Sequence, residues 1–213
     1  MTDTNKPKAL KRFLTALVLG SALIASNGAP SFAEDNLKTA IFAGGCFWCV
    51  ESDFDHVKGV VETVSGYSGG STTENVTYRN HADHREVVKI TYDATKVSYD
   101  MLLDIFWRSV DPTDDGGQFC DRGHTYTTAI YTLDEEQAKL AQASKAKLET
   151  DKTLSQPIKT EIAAAGPFFD AEDYHQDYYK VNPVRYKYYR YSCGRDADIE
   201  KLWGDQAHLG IMK

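Results

Sequence analysis

Apolar residues follow two different periods along the chain. Thr39-Ala40-Ile41-Phe42-Ala43 is a short continuous apolar run, the pattern of a buried strand. Gly44-Gly45 closes it, and the residues from Val50 to Phe54 can continue as a helix, so the glycines read as a tight strand-to-helix turn. Lys58 to Tyr67 and Glu86 to Tyr92 are β-rich and predict two strands, separated by a glycine-rich turn at Gly66–Gly70 and a polar loop from Ser71 to Asp83. Val97 to Val110 then changes period. Tyr99, Leu102, Leu103, Phe106, Trp107 and Val110 share one side of a helix capped by Ser98, and Asp111-Pro112 ends it. Thr128–Thr132 reads as a strand. Asp134 to Thr150 reads as a helix capped by Asp134, with Leu140, Ala143 and Leu148 on its apolar face. A short strand at Ile158–Ile162, a short helix within Phe168–Tyr179, a tyrosine-dense stretch at Tyr186–Tyr191 and a glycine-loosened tail at Cys193-Gly194-Arg195 complete the expected order.

The N-terminus changes the picture. Lys6, Lys8, Lys11 and Arg12 precede an apolar run from Phe13 to Ala25, and Ser31-Phe32-Ala33 offers small residues where a signal peptidase reads. Residues 1–33 are therefore expected to be a signal peptide and residues 34–213 a single domain. Export across the inner membrane follows, with a periplasmic location in a Gram-negative cell. The formal net charge is −7, and the leader takes cations with it, so nucleic acid is an unsuitable partner. Four cysteines, Cys46, Cys49, Cys120 and Cys193, are too few for a disulfide-built scaffold. In an oxidising compartment they either form two stable bridges or cycle, and sequence does not choose among the three complete pairings.

Candidate chemistry gathers at Gly44-Gly45-Cys46-Phe47-Trp48-Cys49. Cys46 falls at a helix start, where unpaired N–H groups and the helix dipole favour a thiolate over the usual thiol. It is a candidate nucleophile, with two aromatic rings beside it; the bland alternative is a structural cysteine in the core. Glu86 at a strand entry is a candidate for a carboxyl kept protonated by burial. Tyr67, Asp121, Tyr126 and His175 stand in glycine-rich or polar surroundings where sites tend to lie, or merely pack. His81, His84 and Glu86 lack a second cluster at ligand spacing, so no metal is expected.

Five segments occur together in one order. They are the hexapeptide, Gly66-Tyr67-Ser68-Gly69-Gly70, His84-Arg85-Glu86-Val87-Val88, Asp121-Arg122-Gly123 with Tyr126 and Ala129-Ile130-Tyr131, and Ala171-Glu172-Asp173-Tyr174-His175-Gln176. In this set the chain resembles the A-type peptide methionine sulfoxide reductases. The resemblance implies an α+β fold, a two-layer sandwich with a ferredoxin-like mixed-sheet core. It also implies thiol-dependent reduction of methionine S-sulfoxide, free or in proteins. Cys46 would attack the sulfoxide sulfur, Phe47 and Trp48 would hold the methyl group, and Tyr67, Glu86 and Tyr126 would protonate the oxygen. Asp121 would belong to the same polar pocket, and His175 would lie near it. Cys46 would become a sulfenic acid, then a disulfide with a resolving cysteine, reopened by a thioredoxin-like dithiol. Cys193 best matches the family's resolving cysteine, while Cys49 and Cys120 depart from the commonest pattern and are alternatives. No metal or organic cofactor is implied, and a monomer is expected. Two rival classes remain: a thioredoxin-like oxidoreductase using Cys46 and Cys49, and a binding module with two structural disulfides.

Overall fold

The computed structural model describes residues 1–2, 36–81 and 83–212. The chain divides into two units, Met1–Ser31 and Phe32–Lys213, and the fold belongs to the second. Residues 3–35, which hold nearly all of the expected leader and its cleavage site after Ala33, lie outside the described residues. Among the described residues no helix is long and apolar enough to cross a membrane.

In chain order the elements are β1 (Leu37–Gly44), α1 (Phe47–Asp55), β2 (Val60–Ser68), β3 (Arg85–Asp93), α2 (Tyr99–Trp107), the short pair β4 (Gly117–Gln118) and β5 (Asp121–Arg122), and β6 (Thr128–Thr132). There follow α3 (Glu135–Asp151), β7 (Glu161–Ala164), β8 (Phe169–Asp170), α4 (Tyr178–Val181), α5 (Pro183–Cys193) and α6 (Arg195–Trp203). Among the described residues, six strands form one mixed sheet in the order β7-β6-β1-β3-β2-β8. All neighbours run antiparallel except β6 and β7, which are parallel. The segment β1-α1-β2-β3-α2-β6 lies in the sheet as β6-β1-β3-β2. This is the ferredoxin-like arrangement, in which each helix returns the chain past one intervening strand.

Alternation along the strands sorts the core. Ala40, Phe42, Val88, Ile90 and Ile130 face Val50, Phe54, Leu102, Leu103 and Phe106 of the helices. Ile41, Ala43, Val87, Ala129 and Tyr131 point the other way, under Ala163, Ala165 and Phe168. Side chains alternate in direction along a strand, so Glu86 shares the helix-facing side with Val88. Both expected N-caps form: Ser98 Oγ accepts from Met101 N–H at 3.2 Å, and Asp134 Oδ1 from Gln137 N–H at 2.7 Å.

Four expectations are corrected. The strand placed at Ile158–Ile162 is shifted to Glu161–Ala164, where it pairs with β6 from Ala129 to Thr132. Helix α3 buries Gln137, Ala141 and Leu148 and leaves Ala143 exposed. Its Ser144 instead accepts from Trp107 Nε1 at 2.8 Å. Within 168–179 the chain adds an edge strand before it turns: Phe169 pairs with Tyr67, and Gln176 bonds both the N–H and the C=O of Ser65 at 2.9 Å. Backbone pairing to the sheet edge thus overrides local helix propensity there. The expected loose tail is docked. Gly194 (φ +76°) joins α5 to α6, and Ile199 and Trp203 enter the core. The buried Arg195 guanidinium donates to the carbonyls of Gly44 at 3.0 Å and Ser109 at 2.8 Å.

Candidate active site

The turn after β1 requires both of its glycines. A Cβ on Gly44 would sit 2.9 Å from Val50 Cγ2. Gly45 has φ +85°, and a Cβ there would meet Gln118 Cβ at 2.6 Å. This tight turn sets Cys46 at the N-cap of α1, with its carbonyl accepting from Cys49 N–H at 3.0 Å and Val50 N–H at 3.3 Å.

Across from it stands Glu86, 2 % exposed. Its Oε2 accepts the Phe47 N–H at 2.9 Å, one of the donors that a helix start leaves unpaired. That bond favours the carboxylate, but burial outweighs it and pushes the Glu86 carboxyl up to about 8. Glu86 is therefore an acid at neutral pH, aimed into the space beside the Cys46 sulfur.

That space is a cavity of ≈ 60 Å³. Cys46, Phe47 and Trp48 form one side, Glu86, Asp121 and Tyr126 another, and Tyr78 and Tyr189 complete the lining. Trp48 is held face to face on Tyr178 at 3.8 Å, and its Nε1 donates to His175 Nδ1 at 3.1 Å. Tyr78 and Tyr126 both line the cavity and act on each other electrostatically. Burial pushes the hydroxyls of both tyrosines up, so each remains a proton donor.

Two predicted site residues lie elsewhere. Tyr67 does not line the cavity: its hydroxyl donates to Glu172 Oε2 at 3.2 Å, and its ring stacks on His81 at 4.8 Å. Glu172 Oε1 also accepts the Tyr78 N–H at 3.1 Å, so Tyr67 supports the loop that carries Tyr78. His175 lies behind Trp48 rather than in the cavity, and burial pushes its imidazole down toward the neutral form that accepts the indole N–H. Sequence reasoning missed Tyr78 and Tyr189. Tyr78 sits in the polar loop, where only its being a lone aromatic marked it. Tyr189 was signalled by helical spacing from Tyr186, which is buried beside Cys46 and Cys49.

The cysteines fall into two pairs. Cys120 and Cys193 are disulfide-bonded, with Cα atoms 5.0 Å apart. Cys46 and Cys49 are free thiols, 6 % and 2 % exposed. Burial, Cys49 and Glu86 push the Cys46 thiol well up, against the expectation from the helix start. Desolvation of a sulfur walled by aromatic rings outweighs a few backbone N–H groups. A hydrogen bond from Cys46 pulls Cys49 down, helped by the charges of Arg195 and Arg190. The anionic character of the pair thus lies toward Cys49.

The histidines rejected as metal ligands have other partners: His81 Nδ1 lies 3.0 Å from Thr77 O, and the His84 ring nitrogens contact Gly70 N–H and Thr72 O. Among the described residues, Cys120, Asp121 and Cys193 bring metal-ligand atoms together, but their two sulfurs are already bonded to each other.

A buried thiol, backed by a second one, that faces a protonated carboxyl and three phenols across a cavity admitting only a small group defines a thiol-dependent reductase of a polar oxygen function. The particular family follows from comparison. The family model described as peptide methionine sulfoxide reductase matches residues 38–207. Peptide methionine sulfoxide reductase MsrA 2 of Rhizobium meliloti is 56% identical over 174 residues, covering 81% of this chain and 86% of that one. MsrA of Bacillus pumilus is 49% identical over 178 residues, covering 82% and 99%. Among solved structures, methionine sulfoxide reductase A of Corynebacterium diphtheriae superposes with a TM-score of 0.62 at 34% identity, over 70% of this chain and 76% of that one. Reduced Mxr1 of Saccharomyces cerevisiae gives 0.64 at 26% identity, over 70% and 88%.

The chain belongs to the peptide methionine sulfoxide reductase family. It reduces methionine S-sulfoxide to methionine, and the readings as a thioredoxin-like oxidoreductase or a non-enzymatic module are set aside.

Proposed function

We propose that Cys46 is the sulfur that removes the sulfoxide oxygen, and that Glu86, Tyr78 and Tyr126 supply its proton. One observation carries this: the Cys46 thiol, the neutral Glu86 carboxyl and both phenols open onto the same small cavity. A sulfoxide oxygen leaves sulfur only as it gains a proton. Glu86 holds one at neutral pH, and a positioned acid of this kind contributes about 10²–10⁴ in rate. Phe47 and Trp48 form the apolar wall for the substrate methyl group; burying one such group is worth about 0.8 kcal/mol. Cys49 takes the Cys46 proton as the sulfur attacks. The oxygen passes to Cys46, methionine leaves, and Cys46 is a sulfenic acid. Cys49, its hydrogen-bonded neighbour, condenses with it, forming the Cys46–Cys49 disulfide and water.

The electrons that reopen this bond come from an external dithiol of the thioredoxin class, with no metal or organic cofactor. Mxr1, to which the chain is similar in fold, has been solved in complex with Trx2. The basic stretch, apolar run and small residues before position 34 support export to an oxidising compartment, where methionine in proteins is the substrate that needs repair. The monomeric state rests on one domain carrying a complete site.

Two outcomes test this reading. Protein whose Cys120–Cys193 bond is intact should release one methionine and lose both remaining thiols. Cys49→Ser should also release one methionine but leave a sulfenic acid on Cys46 that dimedone captures. Equal capture in wild type and variant would exclude Cys49 as the condensing thiol. Separately, Tyr78→Phe should slow the first turnover at least about tenfold. Tyr67→Phe, whose hydroxyl points to Glu172, should change it far less. Rapid-quench assays of the first turnover compare the two.

A further inference from the structure

At the far end of β1 from the reactive turn lies a second cavity, of ≈ 200 Å³. Lys38, near the start of β1, lines it, whereas Cys46 follows the last residue of that strand. About 20 Å of extended chain therefore separates the two places. Tyr92 of β3, Tyr99 of α2 and the first turn of α3 form the walls. The sulfoxide chemistry uses none of these residues.

Tyr99 is 6 % exposed, and among the described residues its hydroxyl is buried without a hydrogen-bond partner. Buried hydroxyls are normally paired, because an unpaired one forfeits the bond that water supplied. Gln137, on the same wall, shows the contrast. Its amide donates to the Thr39 carbonyl at 2.7 Å and accepts the Leu133 N–H at 3.0 Å. The Tyr99 hydroxyl is turned to the open space: burial, then Tyr92 and Asp134, push it up, and both of those residues line the cavity. One water could pair a hydroxyl, but a water takes about 30 Å³ and the cavity is several times larger. An unpaired buried atom and the room beside it together fit a bound molecule.

Charge selects the kind of molecule. The starts of α2 and α3 both reach this cavity, and a bare helix start attracts anions. These two are not bare. Ser98 and Asp134 cap them, and Asp100 and Glu136 stand in their first turns. Asp100, Asp134 and Glu136 thus set three carboxylates around the cavity against the single ammonium of Lys38. Ala94 and Leu140 add apolar surface.

We propose that this cavity is a second binding site, separate from the sulfoxide site, for a small organic cation of the alkylammonium class. An ammonium carries three donors and no acceptor, and a hydroxyl oxygen ringed by carboxylates matches that set. The Tyr99 hydroxyl oxygen and the carboxylates receive the N–H groups. Ala94 and Leu140 take the alkyl chain.

The test titrates n-butylammonium chloride into the protein with its Cys120–Cys193 bond intact and follows amide shifts by NMR. The shifts should saturate with a Kd of about 1 mM, the range open to a ligand this small. They should centre on residues 98–100 and 134–137 and leave residues 46–49 unmoved. Neutral n-butanol and anionic butyrate should bind more weakly. Tyr99→Phe, which removes only the hydroxyl, should weaken butylammonium at least about tenfold. Asp134→Asn keeps the helix cap and removes one charge, and should weaken it about two- to fivefold. Both variants should release methionine at the wild-type rate, which reports an intact fold. The proposal is overturned if no saturable shift appears, or if sodium chloride at matched ionic strength reproduces the shifts. Equal binding of n-butanol or butyrate, or full affinity in Tyr99→Phe, overturns it as well.

Discussion

Glu86→Gln is expected to slow release of the first methionine by about 10²–10⁴-fold, the usual range for loss of a positioned general acid. Glutamine keeps the shape and the acceptor for the Phe47 N–H, so the start of α1 should not move. Only the proton is lost. The pH dependence identifies it. Burial raises the carboxyl from an ordinary 4.5 to about 8. The acid is therefore present below about 8 and disappears as pH rises through that value. In wild type the single-turnover rate should fall across this range, and in the variant the fall should be absent. Cys46 supplies no competing rise there, because its thiol is held well above its usual value. Rapid-quench measurement on either side of pH 8, with a peptide carrying methionine S-sulfoxide, reads both effects. An unchanged profile in Glu86→Gln would assign the proton to another group.

The sheet was legible because its strands carry a strong period. Thr39–Ala43 and Glu86–Tyr92 have to be buried on at least one face, and the two glycines after β1 permit little but a turn into a helix. The same signals placed Cys46 at the helix start and Glu86 at the entry of its strand; that Glu86 faces inward is seen only in the packed sheet. What the pattern could not carry was anything set by pairing at the sheet edge. Phe169–Asp170 reads as the beginning of a helix until Tyr67 and Ser65 offer it backbone partners. Cys193-Gly194-Arg195 reads as a loose end until the Arg195 guanidinium finds the carbonyls of Gly44 and Ser109.

The site shows the same division. Tyr67 lies at the end of β2 and Tyr78 in the loop that follows it, and sequence alone favoured the one flanked by glycines. A hydroxyl is assigned by where its loop is tied. Glu172 takes the Tyr67 hydroxyl and the Tyr78 N–H together, leaving the Tyr78 hydroxyl facing Tyr126. The Cys46 thiol is a second case. A helix N-terminus favours its thiolate, but the degree of desolvation, which decides the sign, is a property of the packed aromatic walls. The pairing of Cys120 with Cys193 depends likewise on a hairpin and a helix end meeting across 73 residues of sequence.

The second large effect concerns Cys46 itself. Cys46→Ser should lose the first turnover altogether, because among the described residues no other free sulfur opens onto the cavity that Glu86, Tyr78 and Tyr126 face. Serine preserves the size of the side chain but is a poor nucleophile toward sulfur and cannot store the oxygen as a sulfenic acid. Cys49, though adjacent and the more anionic of the pair, does not line the cavity. The converse variant isolates the claim. Protein with Cys46 as its only cysteine, with Cys49, Cys120 and Cys193 each replaced by Ser, is mixed with a methionine S-sulfoxide peptide, and products and protein mass are read together. One methionine per chain and one added oxygen on the peptide containing residue 46 is the predicted result. No methionine from that protein, or continued methionine release by Cys46→Ser, would contradict the account.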